Sequence, residues 1–296
     1  MRWLSLQRAI DKWLKQLSYG RKTSTIRNLR NHLKRLQEYF DDDIQGITFE
    51  SYHKWLQMAK NKWKGSTVAK THRTATRLFL WANLKDAKKI RNIHIKISWP
   101  KIETYSLEQI NLILKWCFNQ KKSDWRIRAA AFILILSCSG MRGGECLRLK
   151  WHDFDQNTAM FHLRTTKTGV SRFSAIHEQI VPFLLDYKIK MQEKLEFNSQ
   201  WVFPSFIHPN NHITYNAITT KMNNEISKEL DFHINPKKFR STLVKLVIES
   251  GGGYEKAAAI VGHSDIGVTQ KHYHRISMNQ GAKDAHSKAL EGFEFK

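Results

Sequence analysis

Residues 129–136, Ala-Ala-Ala-Phe-Ile-Leu-Ile-Leu, are the longest strongly apolar run in the chain. A helix made from them shows hydrocarbon on most of its faces, so it is stable only when other elements surround it. The run is far too short to cross a bilayer, and it therefore predicts the centre of a packed, multi-helix domain. Ser106-Leu107-Glu108-Gln109 carries the spacing of a capped helix start ahead of it. Gly140 follows as a stop signal, with residues 145–149 read as the start of the next helix.

A second, separate set of helical stripes lies upstream. Leu6, Ile10, Trp13, Leu14 and Leu17 recur at helical spacing, and Ile26, Leu29, Leu33, Leu36 and Phe40 do so again after Tyr19-Gly20. Phe49, Tyr52, Trp55, Leu56 and Ala59 mark a third helix after Thr48, and Val68, Ala75, Leu78, Phe79 and Ala82 a fourth after Ser66. These predict a small four-helix domain over residues 1–84. Residues 85–104 hold Lys85, Lys88, Lys89, Arg91, Lys96 and Trp99-Pro100 without a sustained stripe, which predicts a basic linker and a hinge. Residues 105–296 form the second domain, and a chain of 296 residues suits two.

Charge narrows the partner. The formal net charge is +23, and residues 1–100 alone carry 22 Lys/Arg against 7 Asp/Glu. Self-repulsion of that size implies a polyanion, with nucleic acid the first candidate. Arg27, Arg30, Lys34 and Arg35 fall near one face of the second helix, and Lys70, Arg73 and Arg77 follow i, i+3, i+7 on the fourth. Both rows are candidate DNA phosphate contacts, although a solvated helix face is the plainer account of either row alone. The basic residues are spread over several helices with buried stripes, unlike an interfacial membrane helix. Cys117, Cys138 and Cys146 are odd in number and lack C-x-x-C spacing, so neither a disulfide framework nor a cysteine zinc site is expected. No signal-peptide core is seen at the N-terminus. A soluble protein that meets DNA in a reducing compartment is expected.

The chemistry-bearing residues lie in the last 155 positions. Arg142 sits in the turn Ser139-Gly140-Met141-Arg142, with Glu145 three residues on. Lys167 falls in Thr166-Lys167-Thr168-Gly169 between the β-prone runs 158–163 and 172–176, which predict a hairpin or small sheet. Pro236-Lys237-Lys238-Phe239-Arg240 opens a helix whose N-terminal N–H groups favour anions. Val261-Gly262-His263-Ser264-Asp265 then runs on to Lys271-His272-Tyr273-His274. Guanidinium, ammonium and imidazole groups around one phosphate stabilise the charge it gains on becoming five-coordinate, and a phenol can supply the nucleophile. His263, His272 and His274 lack the carboxylate or cysteine that would complete a metal site.

In order and setting these segments resemble the tyrosine recombinases, or phage-type integrases, over nearly the whole chain. The resemblance implies a mainly α fold with a small β-sheet: an N-terminal four-helix, SAM-like core-binding domain followed by an α+β tyrosine recombinase catalytic domain. It implies that Arg142, Lys237, Arg240 and His263 bind the scissile phosphate, that Glu145 supports Arg142, and that Lys167 protonates the leaving 5′ oxygen. Tyr273 would attack, forming a 3′-phosphotyrosyl intermediate without metal or other cofactor. The chain departs from the family in two places. Lys237 stands where a histidine is commoner, a variant associated with archaeal virus integrases, and lysine titrates poorly as a base near neutral pH. Tyr273 falls ten residues after His263 rather than nine, which puts His272 in the usual slot. The phenol remains the expected nucleophile because a histidine adduct would be a labile phosphoramidate.

By the same resemblance the chain is an integrase of a mobile element or virus that closes on duplex DNA as a clamp. It would be monomeric when free and tetrameric on DNA, passing through a Holliday junction in the cytoplasm of a host cell, at its nucleoid. Residues 278–295 could dock on a neighbouring protomer. A type IB topoisomerase-like enzyme and a non-catalytic DNA-binding protein with a decayed site are the alternatives.

Overall fold

The computed structural model describes residues 4–40, 43–96, 102–120, 123–164, 171–262, 266, 267 and 270. The chain divides into two compact units, Met1–Pro100 and Lys101–Lys296.

In the first unit α1 (Leu6–Ser18) starts at Ser5, whose hydroxyl accepts from the Arg8 N–H, and buries Leu6, Ala9, Ile10, Trp13 and Leu14. Helix α2 (Thr23–Gln37) follows the Tyr19-Gly20 break and contributes Leu33 and Leu36. A Thr48–Ser51 capping box opens α3 (Phe49–Lys62). Helix α4 (Gly65–Trp81) is buried at most positions from Val68 to Phe79. It therefore lies at the centre of this unit, packed on α1, α2 and α3.

The segment predicted as linker differs in its first part. Residues 87–91 form the short helix α5 (Ala87–Arg91), with Ala87 and Ile90 buried in the core of the first unit. The Asp86 carboxylate accepts from the Phe49 N–H at the start of α3. Two apolar side chains three residues apart suffice to dock one turn, and among the surrounding lysines that spacing was too brief to read as a stripe.

In the second unit α6 (Leu107–Phe118) begins with the predicted Ser106–Gln109 capping box. Helix α7 (Asp124–Ser139) is buried without interruption from Ile127 to Leu136. Each large apolar side chain so enclosed stabilises the fold by roughly 1.5–3 kcal/mol. It is enclosed by α6, α9 (Val181–Leu195) and α11 (Pro236–Glu249). Gly140 ends α7 in the left-handed conformation, φ +62°.

The next helix departs from expectation. It is one turn only, α8 (Gly143–Cys146), starting two residues early because the Glu145 carboxylate caps the Arg142 N–H. The sheet has three antiparallel strands, β1 (Phe154–Asp155), β2 (Met160–Leu163) and β3 (Arg172–Ala175). In the predicted hairpin Phe161 pairs with Ser174 and Leu163 with Arg172. Helix α10 (Tyr215–Glu229) and helix α12 (Gly253–Val261) are the remaining helices of the unit among the described residues up to Gly262. Cys117, Cys138 and Cys146 are free, and burial pushes all three thiols up.

Candidate active site

The site grows from the end of α7. Once Gly140 has turned the backbone, the Met141 N–H is held by the Ser139 hydroxyl and the Ser139 carbonyl accepts from the Ser174 hydroxyl of β3 at 2.9 Å. The next residue, Arg142, is thereby fixed between α7 and the sheet.

Glu145 binds Arg142 twice. One carboxylate oxygen accepts from the Arg142 backbone N–H at 3.1 Å, and the other accepts from its Nη1 at 2.8 Å. Arg172 Nη2 donates to Glu145 from β3 at 2.9 Å. The carboxylate is 2% exposed, whereas the Arg142 side chain is 33% exposed, so the acid is enclosed and one guanidinium still reaches solvent. Burial pushes the Glu145 carboxyl up, but bonds from Arg142 and Arg172 outweigh it and hold the group below its usual range. Two guanidiniums on one carboxylate leave the trio with net positive charge.

Arg240 reaches the same turn from α11. Its Nη1 donates to the Gly140 carbonyl at 2.7 Å, and the residue is buried. It lies one turn inside α11 rather than among the free N–H groups at the helix end. Lys237 occupies the first turn, its N–H held by the Asn235 side chain, and is exposed. Tyr105 sets where α11 begins. Its hydroxyl accepts from the Asn235 N–H at 2.6 Å, and its own N–H donates to Thr242 Oγ1 at 2.9 Å. Burial pushes that phenol up to about 12, so it stays a neutral strut.

Helix α12 brings in the last segment. A Cβ on Gly140 would stand 3.0 Å from Val261 and 3.1 Å from Leu243, so α11 and the end of α12 both press on the Gly140 turn. Gly262, at φ +66°, caps α12 with its Cα against the Arg172 side chain.

Among the predicted residues, then, Arg142, Glu145 and Arg240 converge on one turn, with Lys237 on the same helix as Arg240. Lys167, His263, His272 and Tyr273 lie outside the described residues, as do residues 278–295. Arg172 was missed by sequence reasoning. Its place shows only in the folded strand: along β3 the phenylalanine, Phe173, is 67% exposed, while Arg172 and Ser174 on the opposite face turn inward. That inverts the usual strand pattern, and local rules tend to break at functional sites. No group of three or more His, Cys, Asp or Glu residues is placed to hold a metal ion among the described residues.

The predicted DNA contacts of the first unit fall into two kinds. Lys70, Arg73 and Arg77 are the exposed positions on an otherwise buried stretch of α4, with Arg77 over the Trp13 ring at 5.6 Å. On α2, Arg27 and Lys34 are exposed, whereas Arg30 pairs with Asp11 at 2.7 Å and Arg35 donates to the Asn31 carbonyl. The two rows adjoin at His32, whose pKa is lowered by burial and then by the charges of Arg35 and Lys70. A groove of about 610 Å³ beside α4 adds Arg91 and His94 to Arg73 and Arg77. No helix among the described residues is long and apolar enough to cross a membrane.

Comparison with known proteins places the chain in a family. The model of the phage integrase family matches residues 104–280. Tyrosine recombinase XerA of Saccharolobus solfataricus is 23% identical over 268 residues, spanning 87% of this chain and 84% of its own. The Tn1549 transposon integrase in complex with transposon right end DNA shares the fold at a TM-score of 0.74 and 15% identity, over 96% of this chain and 99% of that one. The XerH site-specific recombinase bound to its palindromic difH substrate does so at 0.73 and 17%, over 96% and 84%. With the family model covering more than half of its length, the chain belongs to the phage integrase family, the tyrosine recombinases.

Proposed function

We propose that this recombinase is the integrase of a mobile element or virus, and that it cuts and rejoins duplex DNA through Tyr273. In this reading the Tyr273 phenol releases its proton to solvent water as its oxygen attacks the scissile phosphorus. The bond to the 5′ oxygen breaks, Lys167 protonates that oxygen, and a 3′-phosphotyrosyl ester remains. Attack by a 5′ hydroxyl of the partner duplex reverses these steps and releases Tyr273, so no external energy source is needed. Arg142, Arg240, Lys237 and His263 bind the non-bridging oxygens, where donors fixed in advance act most strongly on developing charge. Glu145 holds Arg142, and His272 supports the nucleophile.

The observation that carries the reading is the bond from Arg240 to the Gly140 carbonyl, which joins two arginine segments 100 residues apart at the turn that bears Arg142. The basic rows on α2 and α4 support a duplex as the substrate, because phosphate contacts supply affinity without reading sequence. Four protomers on two sites, exchanging strands through a Holliday junction, complete the proposal. These steps belong in the cytoplasm, at the nucleoid of the host cell.

The test is a nicked suicide duplex, from which the strand 3′ to the cut diffuses away. A covalent protein–DNA adduct should form with the wild type and not with Tyr273→Phe. An adduct that persists in Tyr273→Phe would remove the assigned nucleophile. Absence of any adduct on DNA that the protein binds would favour a non-catalytic binder.

A further inference from the structure

Arg172 joins Glu145 and Gly262 at the edge of the site, yet the proposed reaction gives it no part. Its Nη2 donates to Glu145 at 2.9 Å. Its side chain fills the space where a Cβ on Gly262 would stand, 2.7 Å from Cδ and Nε. It is the first residue of β3. The side chain is only 13% exposed, and its Nε is buried with no hydrogen-bond partner among the described residues. Enclosing a guanidinium so incompletely bonded is costly.

A physical need for it follows from the charges. Glu145 and Arg142 alone would form a closed pair with no net charge, and a neutralised Arg142 would do little for a phosphate. The second guanidinium shares the carboxylate and restores a net positive charge beside Arg142. Gly262 meanwhile rests on the same side chain, so Arg172 fixes where the chain leaves α12, one residue before His263.

We propose that Arg172 is a positioning residue for strand cleavage, which draws on the Glu145 carboxylate so that Arg142 keeps its charge for the phosphate, and which sets Gly262 in register with Arg142. The proposal rests on the assignment of Arg142 to the scissile phosphate.

The experiment compares Arg172→Gln, Arg172→Lys and the double variant Arg172→Gln/Glu145→Gln with the wild type, reading single-turnover cleavage of the suicide duplex and duplex affinity. Arg172→Gln should cleave roughly 10- to 100-fold more slowly, the scale of a misplaced catalytic group, with affinity within about threefold. Arg172→Lys keeps the charge and should recover most of the rate. The double variant should cleave faster than Arg172→Gln, because it removes the carboxylate that then neutralises Arg142. A purely structural arginine would give no such recovery, since a second buried substitution could only loosen the site further. Arg172→Gln at the wild-type rate, or a double variant no faster than it, overturns the proposal. If Arg172→Gln does not fold, Arg172→Lys decides alone: near-wild-type cleavage supports the charge role, and a tenfold or greater loss refutes it. Tyr273→Phe on the same duplex keeps the two readings apart, because an adduct there refutes the nucleophile whatever Arg172 does.

Discussion

Arg240 Nη1 donates a 2.7 Å hydrogen bond to the carbonyl oxygen of Gly140. The donor belongs to α11 and the acceptor to the residue that ends α7, so one bond aligns the two helices that deliver Arg240 and Arg142. The alignment also requires Gly140 to have no side chain.

Gly140→Ala should therefore damage stability and cleavage together. A left-handed φ costs a residue with a Cβ about 1–2 kcal/mol, and the new methyl would press on Val261 and Leu243 at 3.0 and 3.1 Å. Overpacking adds roughly 1–3 kcal/mol. The melting temperature of the second unit should fall by several degrees, on the order of 2–4 °C per kcal/mol for a unit of this size. Calorimetry checks it, and an unchanged melting temperature would contradict the described packing.

Lys167→Ala should bind duplex DNA almost normally but cleave it slowly. The defect should disappear on a substrate whose 5′-bridging oxygen is replaced by sulfur, because a thiolate leaves without protonation. Cleavage rates on the two duplexes measure this, and a failure of rescue would take the acid role from Lys167.

Affinity should fall steeply with salt through the cations of the first unit. Lys70→Ala and Arg73→Ala should each reduce the slope of log K against log salt by roughly one. Arg30→Ala should do less, since Arg30 is already paired with Asp11. Fluorescence titrations between low and moderate salt decide between these outcomes, and equal effects at all three positions would contradict the sorting.

Acid should weaken the first unit through His32 and His72. Burial lowers the pKa of His32, helped by Arg35 and Lys70. Burial also lowers that of His72, against bonds to the backbone at Arg91 and Ile93. The His72 ring meets the Tyr52 hydroxyl at 2.9 Å in the core. Folding therefore favours the neutral rings. Their contribution is full above the unfolded value of 6.5 and is lost as pH falls through the lower folded values. Thermal melts from neutral pH downward should show the decline, and His72→Asn should flatten it. Chemical shifts of His32 should also report a higher pKa on DNA, since a phosphate nearby offsets the surrounding cations.

Much of this was legible in the sequence, for reasons that can be named. The Ser106–Gln109 box and the unbroken apolar run of α7 state their structure locally, and Pro236 marks the start of α11 because its missing N–H costs nothing there. The two arginine segments were readable because each sits beside a helix boundary. Helix α5 was not, because Ala87 and Ile90 make a stripe of only two residues. Nor was Arg172, because its importance arises from Glu145 and Gly262, which lie 27 positions before it and 90 after it. Only the folded chain brings those contacts together.

The most direct measurement is mass spectrometry of the peptide that stays attached to DNA after cleavage of the suicide duplex and digestion of the protein. The account predicts a nucleotide joined through its 3′ phosphate to Tyr273, stable to acid as a phosphotyrosine ester is. A nucleotide on His272, or on any other residue, would contradict it.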